Sequence, residues 1–393
     1  MTDDFLPWLY TEAMLLKGAT TTISRILAVL ILGQLTSKAN GLHYSGQEHP
    51  YFTTNGNSPR PWAPQFTSWY RKYGSTLSAL SKDQCNATSR DYNIAFYAPK
   101  GSLEYSQLLS VCYQHEAWVY DGLTMDQQLN FQSATVMMGL MPTLMASIGV
   151  SVSEIALLSA YQSLLSLLIS LAAPAIWPTR IFEYEDPSLL FDRRSGRLEI
   201  PQLGTWSACL LRLFQYAVSL GAAINISLAS WEMGHKTILS WGCTTVFLPL
   251  LWSSLAAIPH IPAALSYRMV IWKYRWVSKN NNSKFWHRCK FASVTGPMMH
   301  AKQSPPTKHH LTNVPMVAVI LSIIAGGLSF VHLFVGTIIF SSLVFVSVSS
   351  VLNQILWRFV DSTAAARIIL MVELARLRAA TRSIDMVNTI EAK

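Results

Sequence analysis

Gln162, Arg212, Asn225, His332 and Asn353 interrupt stretches of this chain that are otherwise free of charge. They are the side chains best placed to do chemistry, with Glu154 near the end of one run and Gln354 beside Asn353. A polar or ionisable group inside an apolar span is expensive to keep. By default it marks a route for a solute, an ion or a proton. His332 is the one titratable group in the middle of such a run, and a hydrogen bond between packed helices is its plainer reading. No Asp or Glu falls at the centre of a run, so a proton-coupled carrier has little to work with.

Other chemistry finds less support. His115 and Glu116, with Asp121 and Asp126, share no metal-ligand spacing, and HExxH is absent. A solvated helix face accounts for them. His300, His309 and His310 lack a fourth ligand at a useful distance. GxxxxGK[ST], GxSxG and CxxC are missing, as is a GxGxxG after a strand. No catalytic residue, cofactor or metal is implied. Asn86-Ala87-Thr88 is a glycosylation acceptor pattern, and Cys85 and Cys112 are a candidate disulfide pair.

The elements that must carry these residues are apolar helices. The chain has 393 residues, 51% of them hydrophobic and 13% charged, against about 25% charged in an ordinary globular protein. Residues 133–177 hold two uncharged stretches around Glu154, long enough for a transmembrane or partly re-entrant hairpin. Two further helices fit 205–260. The block 314–357 fits a second hairpin, with its turn expected near Gly336. A weaker apolar segment within 1–35 reads as a signal anchor or first span. The expected fold is all-α: a polytopic transmembrane helical bundle of six or seven spans. A partly irregular, partly helical soluble region fills 36–132. The connection 178–204 mixes acids and bases. The tail 358–393 has helical periodicity and reads as cytoplasmic, lying on the inner leaflet, continuing the last span or joining a partner helix.

Charge placement orients the bundle. No acidic residue occurs between Glu232 and Asp361, while 261–313 carries nine basic ones. The positive-inside rule puts this loop and the C-terminus in the cytoplasm. Arg268, Lys273, Arg275, Lys279 and Lys284, interleaved with aromatics, suit anionic lipid headgroups better than nucleic acid. Counting spans backwards puts 36–132 inside. Its sequon, its cysteines and its Tyr, Trp, Pro, Gly and Asn content favour the outside. One re-entrant segment within 133–177 reconciles the two lines, and we read 36–132 as extracytoplasmic. A plasma membrane or another membrane of the secretory pathway is the expected location.

The segment SATVMMGLMPTLMASIGVSVSEIALLSAYQSLLSLL, followed by APAIWP and FEYEDP, resembles a group of multi-pass membrane proteins of filamentous ascomycete fungi. The resemblance covers about 60 residues. It implies an integral membrane protein and brings no catalytic residues with it. Two function classes follow from the chain itself. One is a non-enzymatic receptor, scaffold or structural protein, for which the 36–132 region, the basic loop and the tail speak. The other is a channel or transporter with a sparsely polar pathway, for which converging positions around His332, Asn225 and Gln162 would speak. The bilayer is the expected partner, a homo-oligomer is open, and nucleic acid is not expected.

Overall fold

The computed structural model describes residues 64–177, 205–281 and 314–391. The first apolar segment, the 178–204 connection and the 282–313 part of the basic loop, Lys284 included, lie outside them. So do the side chains of Lys273, Arg275 and Lys279, whose backbone is helical.

A small helical layer comes first: α1 (Gly74–Ala79), a π-helical turn (Leu80–Gln84), α2 (Asn86–Tyr97) and α3 (Leu103–Asp121). Ser102 caps α3 by accepting from the Tyr105 amide at 3.1 Å. α4 (Met125–Ile148) then enters the bundle, its start held by the Gln127 side chain on the Thr124 amide at 3.2 Å. α5 (Val152–Tyr161) and α6 (Ser163–Ala172) are short apolar helices, and α7 (Thr205–Lys236) is long. After β1 (Ile238–Leu239) come α8 (Leu248–Leu255), α9 (His260–Asn281) and α10 (Met316–Ser341). β2 (Leu343–Val344), α11 (Val348–Ser350), a π-helical turn (Val351–Leu356) and α12 (Trp357–Glu391) complete the chain.

Four helical stretches are long and apolar enough to cross a membrane: Met125–Ile148, Ala208–Lys236, Leu248–Ile271 and Met316–Ser341. Only 28% to 44% of their apolar windows is buried inside the protein. The remainder forms a belt that includes Val136, Leu140, Leu213, Leu220, Ile324 and Phe334. An apolar surface of that extent is not stable in water; in lipid it costs nothing. The chain is an integral membrane helical bundle, with four such helices among the described residues.

Two positions differ from the sequence reading. The turn after α10 falls at 342–347, not at Gly336. Gly336 instead lets Trp252 of α8 lie directly on the α10 backbone, where any Cβ would collide with the indole ring. The segment after Trp357, read as a cytoplasmic helix on the leaflet, continuing the last span or joining a partner, runs into the bundle. Ser362, Thr363, Ala366 and Leu370 are wholly buried in the bundle, so α12 continues inward from the last turn. Its charges gave it a cytosolic look because their partners lie far away in the sequence.

One end of the bundle is sealed to the small helical layer. β1 and β2 pair antiparallel, Ile238 with Val344 and Leu239 with Leu343. Phe345 sits at φ 65°, an outlying conformation for a bulky residue. Its ring packs on Trp69, Tyr120 and Phe131, joining both layers in one core. Cys112 of α3 is bonded to Cys243 in the loop after β1. The expected Cys85–Cys112 pair is therefore corrected. Cys85 is a buried free thiol, and Cys112 reaches across to a loop 131 residues later that sequence spacing could not bring near.

A crosslink spanning 131 residues restricts the unfolded chain strongly. Cys112→Ser or Cys243→Ser should cost about 2–4 kcal/mol, read as a lower unfolding midpoint in detergent without reductant. Cys85→Ser should leave the link intact. A non-reduced digest that joins the Cys85 and Cys112 peptides would overturn the assignment.

Candidate functional site

The break between α4 and α5 is the first unusual feature of the bundle interior. Thr135 donates to the Leu343 carbonyl at 3.3 Å, and Gly139 faces Ser341. At about 1.5 Å per residue, Ile148 then lies about 14 Å further along α10, near the middle of that helix. Here the chain leaves helical geometry. Gly149 is required because a Cβ would meet the Ala175 and Met145 carbonyls at 2.8 Å. Ser151 and Glu154 then restart the helix as a reciprocal capping box. α6 turns back beside α5, with the Ser166 hydroxyl reaching the Ile155 carbonyl at 3.4 Å. The return ends next to the break, where Ser151 and Trp177 form a parallel bridge.

Backbone freed inside a membrane must be satisfied by the protein. His332 does part of this, its Nε2–H donating to the Pro174 carbonyl at 2.9 Å. Trp252 stacks on that imidazole at 5.0 Å and donates its Nε1–H to the His332 carbonyl. Glu154 also forms an ion pair with Arg367 of α12. His332 is thus a packing residue that closes the turn after α6. His260 is buried close by, and neither of its ring nitrogens has a partner among the described residues.

The second feature is a polar seam between α7, α12 and α6. At one end Asn225 donates to the Arg358 carbonyl and to Ser362 at 3.1 and 3.0 Å. Arg358 returns a bond to Asn225 Oδ1 at 3.1 Å and pairs with Glu232 at 2.7 Å. Lys236 holds the other oxygen of Glu232 at 2.5 Å. At the other end Glu373, 2% exposed, accepts from Arg376 at 2.6 Å and from Gln162 at 2.8 Å. Arg212 lies within Coulombic reach of both Glu373 and Arg376. Between the ends Gln215 and Ser219 of α7 are 3% and 0% exposed, and Ser230, within the Asn225–Lys236 end, is 0% exposed. Their side-chain polar atoms have no partner among the described residues. Buried polar atoms are rarely left so.

Geometry organises the three arginines of α12. Arg358, Arg367 and Arg376 recur every nine residues. Eighteen residues are five full turns, so Arg358 and Arg376 share a face towards α7, while Arg367 lies opposite, towards α5. The outer two are about 27 Å apart along the axis, close to the thickness of the hydrocarbon layer. Asp361, a turn past Arg358, is half-buried and makes no ion pair among the described residues.

Of the residues singled out from sequence, Gln162, Arg212 and Asn225 lie on the seam. His332 lies at the break, and Asn353 is exposed in the π-helical turn away from both. Arg268 donates to the Ser159 carbonyl at 3.1 Å, near the C-terminal end of α5, besides facing outward. Asn86 is exposed at the first turn of α2. Gln215, Ser219, Arg358, Arg367 and Glu373 were not singled out. For the two arginines the nine-residue spacing was the available signal.

In the small helical layer His115 belongs to the core. It bonds to Ser81 at 2.9 Å and to Thr88 at 2.8 Å, and burial pushes it down to about 4. Glu116 points the other way, into a shallow groove of about 320 Å³ lined by Tyr113, Tyr120, Asp121 and Ser240. Burial pushes its carboxyl up to about 7. No group of metal-ligating residues occurs among the described residues.

Removing one member of the Glu154–Arg367 pair strands the other. Arg367→Met should cost about 3–5 kcal/mol, while Glu154→Gln with Arg367→Met recovers much of that loss. Thermal unfolding in detergent reads both, and a double variant as weak as the single would refute the coupling. The two groups of the small layer have opposite pH dependence. The His115 contribution is present above pH 6.5 and lost as pH falls through about 4. The Glu116 contribution is present below 4.5 and lost as pH rises through about 7. Glu116→Gln should therefore lose stability on acidification over this range, and His115→Gln should gain it. The same slope in both variants would contradict the assignment.

No protein-family model, curated protein or solved structure matches the chain.

Proposed function

We propose that this protein is a channel or transporter whose pathway follows the polar seam between α7, α12 and α6. The observation that carries the reading is the pair Gln215 and Ser219, buried without partners among the described residues between two charged clusters. A helix bundle with no need to pass polar species gains nothing from such atoms, each of which costs free energy when unpaired. The discontinuous α4–α5 and the returning α6 support the same reading. Irregular backbone at membrane depth is tolerated where it is enclosed by protein or lines a polar route. The other reading, a receptor, scaffold or structural protein, rests on the 36–132 region, the basic loop and the tail, and the one groove described in that region, beside Glu116, is shallow.

An orientation goes with the same reading. α4 with α5 makes one crossing, α6 turns back part-way, and α7, α8 with α9, α10 and α12 make four more. The Cys112–Cys243 link and the exposed Asn86 suit an extracytoplasmic face for the small helical layer. The basic stretch 282–313 and the C-terminus then share the cytoplasmic side. Both lines of the sequence argument are met, since α6 does not count as a crossing.

Water must reach the seam if solutes do. In a background with Cys85, Cys209 and Cys289 replaced by Ser, Ser219→Cys should react with a hydrophilic methanethiosulfonate reagent. It should do so about tenfold faster than the lipid-facing Ile224→Cys, because the thiolate forms only where water enters. Equal inertness at both positions would sink the pathway.

A further inference from the structure

The charges at the Glu373 end of the seam are unequal among the described residues. Two cations, Arg212 and Arg376, meet one carboxylate, Glu373. Each oxygen of that carboxylate already accepts a bond, Oε1 from Arg376 and Oε2 from the Gln162 amide. Among the described residues Arg212 has no acidic partner within ion-pair distance, and its Nε is buried without an acceptor. Gln215 follows one turn later and Ser219 one turn after that, the amide of the first and the hydroxyl of the second having no partner among the described residues. The spacing of three and four residues puts all three donors on one face of α7. α7 packs against α6 and α12, and Gln215 and Ser219 on that face are buried while Arg212 is half-buried.

We infer that Arg212, Gln215 and Ser219 form a binding site for a small anion, the species that the seam passes. This deepens the transport reading and rests on it. Guanidinium, amide and hydroxyl donors in sequence are what an anion without its water shell requires, and arginine lining is a recognised source of anion selectivity in membrane pores. A cation there would meet the repulsion of Arg212 and Arg376, with only amide and hydroxyl oxygens in return. Glu373 is the acidic group facing the site. Its role is to fix Arg376 and Gln162 while Arg212 stays available.

The test is flux through purified full-length protein in proteoliposomes, with potassium, chloride, nitrate and acetate as probes. The expected result is chloride and nitrate movement in preference to potassium. Arg212→Gln should lower the anion preference about tenfold or more, whereas Arg212→Lys, which keeps the charge, should retain most of it. A monodisperse elution profile in detergent for each variant separates loss of selectivity from loss of fold. Potassium in preference to the anions would overturn the anion site and leave the transport reading standing. So would an unchanged preference in a folded Arg212→Gln. No movement of any probe would overturn the transport reading itself.

Discussion

The ion pair between Glu154 and Arg367 holds the bundle together where it is weakest. α4 stops near mid-depth, and the backbone that follows cannot draw on water. Glu154 answers two demands there. It completes the capping box that restarts α5, and it gives Arg367 the counter-charge that lets α12 lie inside the bundle. Removing it would open the break and expose a guanidinium in one step. His332, bonded to the Pro174 carbonyl and covered by Trp252, closes the other strand of the same break. The unwound chain is thus bracketed from two sides by side chains of α10 and α12.

Away from the break the bundle is assembled by different means at its two ends. Towards the small helical layer the chain uses covalent and backbone links: Cys112–Cys243, the β1–β2 pair, and Phe345 inserted among aromatic rings. Towards the other end it uses small side chains, with Ala222, Ala325, Ala365 and Ala366 all buried in one cluster with the α5–α6 leucines and isoleucines. Close packing of small residues is how helices associate where lipid removes the hydrophobic driving force. The polar seam passes between these two regions, held apart at either end by charged clusters rather than by bulk.

The sequence exposed the membrane class directly, because charge scarcity and apolar run length need no partner to be seen. Thr205–Lys236 and Met316–Ser341 were legible for that reason. The break at Gly149–Ser151 was partly legible, since Gly, Ser and Glu154 interrupt the run, but the meeting with Pro174 was not. Residues 358–377 were misleading in the opposite direction. Charges usually mean solvent, yet Arg358, Arg367 and Glu373 find Glu232, Glu154 and Gln162 more than a hundred residues upstream. The Cys112–Cys243 link was hidden by the same distance. Linear spacing carries local periodicity well and long-range pairing hardly at all.

That distance has a consequence for how the protein is made. Every acid or amide that α12 needs from another helix, whether Glu154, Gln162, Asn225 or Glu232, is translated before it. On its own the helix carries too many arginines to enter lipid readily. It can settle only into a cleft whose walls already stand, which makes α12 the closing stave of the barrel and its insertion a check that everything before it has folded.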